Sequence, residues 1–220
     1  MRLRITFAKA GALRYTGNLD LHRIWERTTR RAGLPLAYTH GFHPGPRIQI
    51  AAALPLGFLG RAELVDLWLE EEDGQNWQPG ELAARLQAAA PSGLQISHLE
   101  RVAEPSPALQ TLVEACEYEV ILLEPAPDPD VRERVDRLLS SPCLPRERRG
   151  KTYDLRPLVL ALEALEGPEF RTLRMRLAAR EGSTGRPEEV LVELGLSPES
   201  ARIERTQLIF RSGATLAASR

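Results

Sequence analysis

The sequence predicts an α+β fold built from two ferredoxin-like units, each running β-α-β-β-α-β. Three observations carry this. Several segments alternate apolar and polar residues with the period of a half-buried strand. Others place apolar residues three and four apart, as an amphipathic helix does. The same succession of segments then returns after a proline-bearing stretch near the middle of the chain. The expected division is residues 1–103 as the first unit, 104–115 as a linker, and 116–220 as the second unit.

In the first unit, Arg2–Lys9 alternates, with Leu3, Ile5 and Phe7 facing one way and Arg2, Arg4 and Thr6 the other. A loop with Gly11 and Gly17 follows. Asn18 is the expected helix cap and Asp20 sits in the first turn. Leu21, Ile24, Trp25, Thr28 and Ala32 form one stripe, and Gly33 and Pro35 end the helix. Arg47–Leu54 and Ala62–Glu71 read as strands joined through Leu56–Gly60. A helix is expected over Gly80–Ala90 and a strand over Leu94–Val102.

The second unit opens with an expected strand at Glu117–Glu124 and a helix at Asp130–Ser140, with Val131, Val135 and Leu138 on one face. Leu158–Leu165 fits a strand or a short helix. Arg171–Ala179 alternates cleanly, Leu173, Met175 and Leu177 against Arg174, Arg176 and Ala178. Pro187 opens a helix that reaches Leu194, and Ala201–Arg211 is a last strand.

Composition narrows the function classes. Of 220 residues, 43% are hydrophobic and 27% charged, which suits packed domains and not a disordered chain. No apolar run approaches the roughly 18–20 residues of a membrane span, and the first residues lack a signal-peptide pattern, so the expected location is cytoplasmic. Cys116 and Cys143 are expected to be reduced. Without a C-x-x-C or a three-cysteine cluster, this chain is expected to bind no iron–sulfur cluster and no other cofactor.

Charge is unevenly spread. Residues 1–61 hold ten Lys and Arg against two Asp and Glu; residues 62–139 hold five against seventeen. The basic end is a candidate anion surface. There, Arg23, Arg27 and Arg30 share a helix face with Arg31 beside Arg27, followed by the loop Leu36–Arg47 with Tyr38, His40, Phe42 and His43. Cations beside aromatic rings suit single-stranded nucleic acid, charge for the backbone and rings for the bases. The candidate ligand surface is therefore Arg27, Arg30, Arg31, Tyr38, His40, Phe42, His43 and Arg47. Taken singly, each arginine is better explained as an ordinary helix residue, with Arg30 and Arg31 at the C-terminal end where positive charge suits the dipole. His40 and His43 lack a third nearby ligand, so no metal site is expected. Lys9, Arg14 and Tyr15 form a second candidate patch, expected at the opposite end of the first unit. Arg146–Pro157 is a further basic run, read as a solvated hairpin or a second contact strip, and Gly182–Pro187 as a strand-to-helix turn.

Several of these segments share a pattern: Leu13–Asp20 (LRYTGNLD), Arg30–Pro35 (RRAGLP), Tyr38–Pro44 (YTHGFHP), Leu54–Gly57 (LPLG) and Glu63–Asp66 (ELVD). With the looser Asp154–Pro157 and Gly185–Pro187, they resemble the radical-SAM-linked protein family, a bacterial domain of unknown function. The resemblance implies a domain fused to, or encoded beside, a cobalamin-binding radical SAM protein, carrying no cluster of its own. Asn18 stands where that family usually has histidine, which weakens an acid–base role at this position.

The first functional expectation is a non-catalytic accessory module that binds RNA or another polyanion for a radical SAM partner. The second is a metal-independent RNA-processing or RNA-modifying enzyme using His40 or His43. The third is a docking scaffold whose acidic middle third, around Glu70–Asp73, meets the partner.

Overall fold

The computed structural model describes residues 1–70, 77–123, 131–165 and 172–211. The chain is a mixed α+β protein that divides into two compact units, Met1–Leu112 with Arg211, and Val113–Phe210. Of the expected acidic run, Glu71, Glu72 and Asp73 lie outside the described residues. Among the described residues no helix is long and apolar enough to cross a membrane.

The first unit contains β1 (Arg2–Lys9), α1 (Asn18–Arg31), β2 (Ile48–Ile50), β3 (Leu59–Trp68), α2 (Pro79–Ala89), β4 (Leu94–Val102) and the short α3 (Leu109–Leu112). Its strands lie in the order β4-β1-β3-β2, all antiparallel. Leu3, Ile5 and Phe7 of β1 are fully buried, in one core with Leu21 and Trp25 of α1 and Leu82 and Leu86 of α2. Phe7 meets Trp25 edge-to-face, with ring centroids 5.0 Å apart, a geometry that adds about 0.5–1.5 kcal/mol to area burial.

Three expectations change here. Asn18 is the first helical residue and not the cap; Gly17 holds the cap position and no side chain caps the helix. The strand expected over Arg47–Leu54 shortens to Ile48–Ile50, because the chain turns at Ala51 once that residue has bonded Leu64. Arg2 and Arg4, expected on a solvated face, are 3% and 5% exposed. Register explains their burial: Arg4 lies opposite Asp66 on β3, and both guanidinium groups close on that carboxylate.

The second unit contains β5 (Val113–Leu122), α4 (Val131–Ser140), the hairpin β6 (Pro145–Arg148) and β7 (Lys151–Asp154), β8 (Val159–Leu165), β9 (Thr172–Arg180), β10 (Ser183–Thr184), α5 (Pro187–Glu193) and β11 (Ala201–Phe210). β8 pairs with β9, β9 with β5, and β5 with β11, all antiparallel. Leu173, Met175 and Leu177 are buried, as their alternation predicts. Leu158–Leu165 resolves in favour of a strand. Within the expected Gly182–Pro187 turn, Ser183 and Thr184 fold back to pair with β9 as β10.

Candidate functional site

The Leu36–Arg47 loop is built as a clasp on the end of β3. Its arms are pinned by backbone bonds: the Ala37 amide donates to the Trp68 carbonyl at 2.8 Å, the Arg47 amide to Ala37 at 2.8 Å, and the Trp68 amide to Arg47 at 3.1 Å. Leu36 bridges Leu69, and Tyr38 bridges Pro46. Nearer the tip, the Thr39 amide donates to the Gly45 carbonyl at 2.8 Å, and the Gly45 amide to the Thr39 hydroxyl at 3.0 Å. Gly41 has φ of +136°, which a side chain would strain. The tip carries His40, Phe42 and His43, all exposed, and Phe42 is fully so at 102%. Leaving a phenylalanine in water forgoes about 1.5–3 kcal/mol of burial. An anchored loop thus holds a large apolar side chain in water at its tip.

Helix α1 meets the arm of this loop through Arg30. Arg27, Arg30 and Arg31 are all exposed. Arg30 ties the helix to the loop arm: it donates to the Tyr38 hydroxyl at 2.5 Å and pairs with Glu26 at 3.0 Å. The hydrogen bond to Tyr38, with help from Glu26, holds the Arg30 guanidinium above its ordinary value. Arg30 is thus a strut as much as a free cation. Arg27 and Arg31 have no ion pair among the described residues and remain open to a ligand.

Arg47, at the foot of the loop, lies over the Trp68 ring at 4.9 Å from its centroid. Arg2 lies against the same ring at 4.8 Å. Below them, Arg2 Nη2 meets Asp66 Oδ2 at 2.6 Å and Arg4 Nε meets Asp66 Oδ1 at 2.9 Å, with Asp66 fully buried. Arg2 also donates to the Ser106 and Pro107 carbonyls. Arg2, Arg47 and Trp68 line a cleft of about 480 Å³ together with Met1, Arg101, Val102 and Glu104. Sequence reading singled out only Arg47 of this set. The missing signal was strand register: Arg2↔Trp68 and Arg4↔Asp66 become neighbours only once β1 and β3 pair.

The second candidate patch lies elsewhere. Lys9 is 1% exposed, and its ammonium donates to the Thr16 carbonyl at 2.8 Å, holding the loop that leaves β1. It is a structural group inside the unit and not a surface cation. Arg14 and Tyr15 stack at 4.6 Å and hydrogen-bond each other, with Tyr15 exposed. The Gly57 amide donates to the Arg14 carbonyl at 2.7 Å, so this loop meets the hairpin before β3. Lys9 pairs with Gly60 while Arg2 pairs with Trp68. Patch and clasp therefore sit at opposite ends of β1, separated by about 24 Å of strand. Among the described residues no three His, Cys, Asp or Glu side chains are grouped to hold a metal ion.

Residues 2–187 match an uncharacterized protein family conserved in bacteria (DUF2344). This chain belongs to that family. The DUF2344 match takes in the clasp, α1 and the β6–β7 hairpin. No curated protein matches the chain. Among solved structures, the chain is similar to a crystal structure of a Cbf5-Nop10-Gar1 complex, at 13% identity and a TM-score of 0.49, covering 94% of this chain and 48% of that one. The chain thus spans about half the length of that relative. It is also similar to an unknown protein from Galdieria sulphuraria, at 17% identity and a TM-score of 0.27, covering 96% and 98% of the two chains. At these values neither similarity bears on function.

Proposed function

We propose that this DUF2344 protein is a non-catalytic binding module that holds RNA for a partner enzyme of the radical SAM class. The observation that carries the binding part is the clasp: a loop pinned at both arms that sets a fully exposed Phe42 between His40 and His43 in the chain, with its arm held to α1, whose Arg27 and Arg31 are exposed and without an ion pair among the described residues. A ring in water is a stacking platform for an unpaired base, and the flanking guanidinium groups suit its phosphates. The radical SAM partner is supported by the sequence resemblance alone. In this reading the partner performs the reaction and the present chain supplies no cofactor.

The two units are two copies of the ferredoxin-like arrangement in this reading. Support comes from the matching strand orders, β4-β1-β3-β2 in one and β11-β5-β9-β8 in the other. The clasp belongs to the first copy.

Fluorescence anisotropy of the full chain with a labelled single-stranded RNA tests the binding part. Stacking on one aromatic ring contributes about 1–3 kcal/mol, so Phe42→Ala is expected to raise Kd at least fivefold. Arg27→Gln with Arg31→Gln should flatten the dependence of log Kd on log salt by about 1.4, the share of two phosphate contacts on a single strand. Affinity that ignores salt and Phe42 would overturn the reading. Recovery of a radical SAM protein with the tagged chain from its native lysate, with and without nuclease, tests the partner.

A further inference from the structure

The β6–β7 hairpin breaks two local folding rules at its tip, and both breaches concentrate positive charge. Arg148 and Lys151 lie directly opposite each other as cross-strand partners, an arrangement of like charges that destabilises a ladder. The two residues between them, Arg149 and Gly150, both have positive φ, at +50° and +73°. Such a two-residue turn favours Asn-Gly, because a residue with a Cβ and no short polar side chain is strained there. Here the strained position holds a third cation.

The Arg146–Glu193 ion pair brings the hairpin against α5, and Arg186 is the residue before that helix. Arg186 is partly buried; burial pushes its guanidinium below its ordinary value, as do Arg148 and Arg149, while Glu188 and Tyr118 act the other way. Carboxylates are present as well: Glu188 lies near Arg186, and the Oε2 atoms of Glu188 and Glu189 are buried with no hydrogen-bond partner among the described residues. Glu193 pairs with Arg146, and Glu189 lies 3.7 Å from Arg186. Arg148, Arg149 and Lys151 are exposed and have no ion pair among the described residues. The hairpin forms its own two-stranded sheet, so no ladder partner in the second unit's larger sheet requires this tip. Natural proteins keep such local breaches chiefly at functional or strained sites.

We propose that the hairpin tip, Arg148, Arg149 and Lys151 with Arg186, is a second nucleic-acid contact, a phosphate-backbone clamp in the second unit separate from the clasp of the first. Guanidinium forks suit phosphate oxygens, and a bound phosphate relieves the repulsion that the free tip carries. Contact with the backbone alone makes the clamp indifferent to base sequence.

The test is anisotropy of the full chain with a labelled 20-nucleotide single-stranded RNA over a salt series, paired with thermal unfolding. Lys151→Glu places a carboxylate opposite Arg148, and Arg149→Gly frees the strained turn position. Each is expected to raise Tm or leave it unchanged while weakening RNA binding by threefold or more. Arg148→Gln with Lys151→Gln should lower the salt slope by about 1.4. Weaker binding with retained Tm separates lost contact from lost fold. Unchanged affinity and slope in all three variants would overturn the clamp, as would a wild-type chain that does not bind the RNA. Loss with Phe42→Ala but not with the hairpin variants would leave the clasp standing and remove the clamp; the reverse would leave the clamp standing and remove the clasp.

Discussion

Asp66 is the residue on which the first unit's buried charge cluster depends. It has no exposure and holds two guanidinium groups that are themselves almost buried. Removing one partner of a buried pair leaves an uncompensated charge and costs about 3–5 kcal/mol. Asp66→Ala is therefore expected to lower unfolding stability in urea by about that amount, and a cost below about 1 kcal/mol would mean that water reaches both arginines. Glu104 supplies the second negative charge, 3.4 Å from Arg2. Burial would raise its carboxyl, but the Ser106 amide and Arg2 outweigh this and hold it below its ordinary value of 4.5. A carboxyl depressed in the folded state adds stability above its unfolded pKa and loses it as pH falls. Glu104→Gln should accordingly flatten the fall in stability below about pH 4.5, as read by urea midpoints across an acid series. An unchanged acid limb would show that the Glu104–Arg2 contact contributes nothing to folding.

At the level of elements, each unit ends a helix with a glycine and an arginine from its other helix. Gly33 follows α1 at φ +66°, and Arg85 of α2 donates to the Ala32 carbonyl at 3.1 and 2.8 Å. Gly195 follows α5 at φ +65°, and Arg134 of α4 donates to the Leu194 carbonyl at 2.8 Å. A cation there satisfies carbonyls that the helix leaves unbonded and complements its dipole. Arg85 also stacks on Trp77 at 4.6 Å, which keeps its fork in place. Arg85→Ala is expected to cost about 1–2 kcal/mol, measured by urea unfolding, with Arg85→Lys recovering part of it. Equal loss in both variants would assign the effect to the planar fork rather than to charge. Because Arg30 joins the same helix end to Tyr38, loosening α1 here should also weaken the clasp.

Across the whole molecule, the proposed reading distributes RNA contacts over both units, the clasp on one and the hairpin tip on the other. Neither contact needs base-specific hydrogen bonds, so binding should tolerate changes of RNA sequence and fall steeply with salt. Combining the Phe42 and hairpin substitutions should then multiply their separate effects on Kd, since the two sets of residues share no partner. The net charge of −1 hides this. The cations matter through where they are gathered, because screened charges act only over about a Debye length.

The sequence by itself determined the order of the longer strands and helices and most of the core, but not α3, β10 or the choice of a strand at Leu158–Leu165. Period-2 runs such as Leu173, Met175 and Leu177, and the α1 stripe through Leu21 and Trp25, are local patterns that burial must honour. It also located the clasp, because a long loop crowded with Tyr38, His40, Phe42 and His43 differs in composition from a plain connection. The surroundings of Arg2 and Arg4 were decided only by the tertiary structure. Alternation placed them away from Leu3 and Ile5, but whether that face meets water or Asp66 depends on strand pairing 62 and 64 residues away. The same holds for Lys9, a plausible surface cation until its ammonium is seen bonded to the Thr16 carbonyl. The helix cap likewise fell to Gly17, extended at φ −76° and ψ 173°, with Asn18 already inside the helix. Local periodicity is written in neighbouring residues; a buried charge is decided by partners that only folding brings within reach.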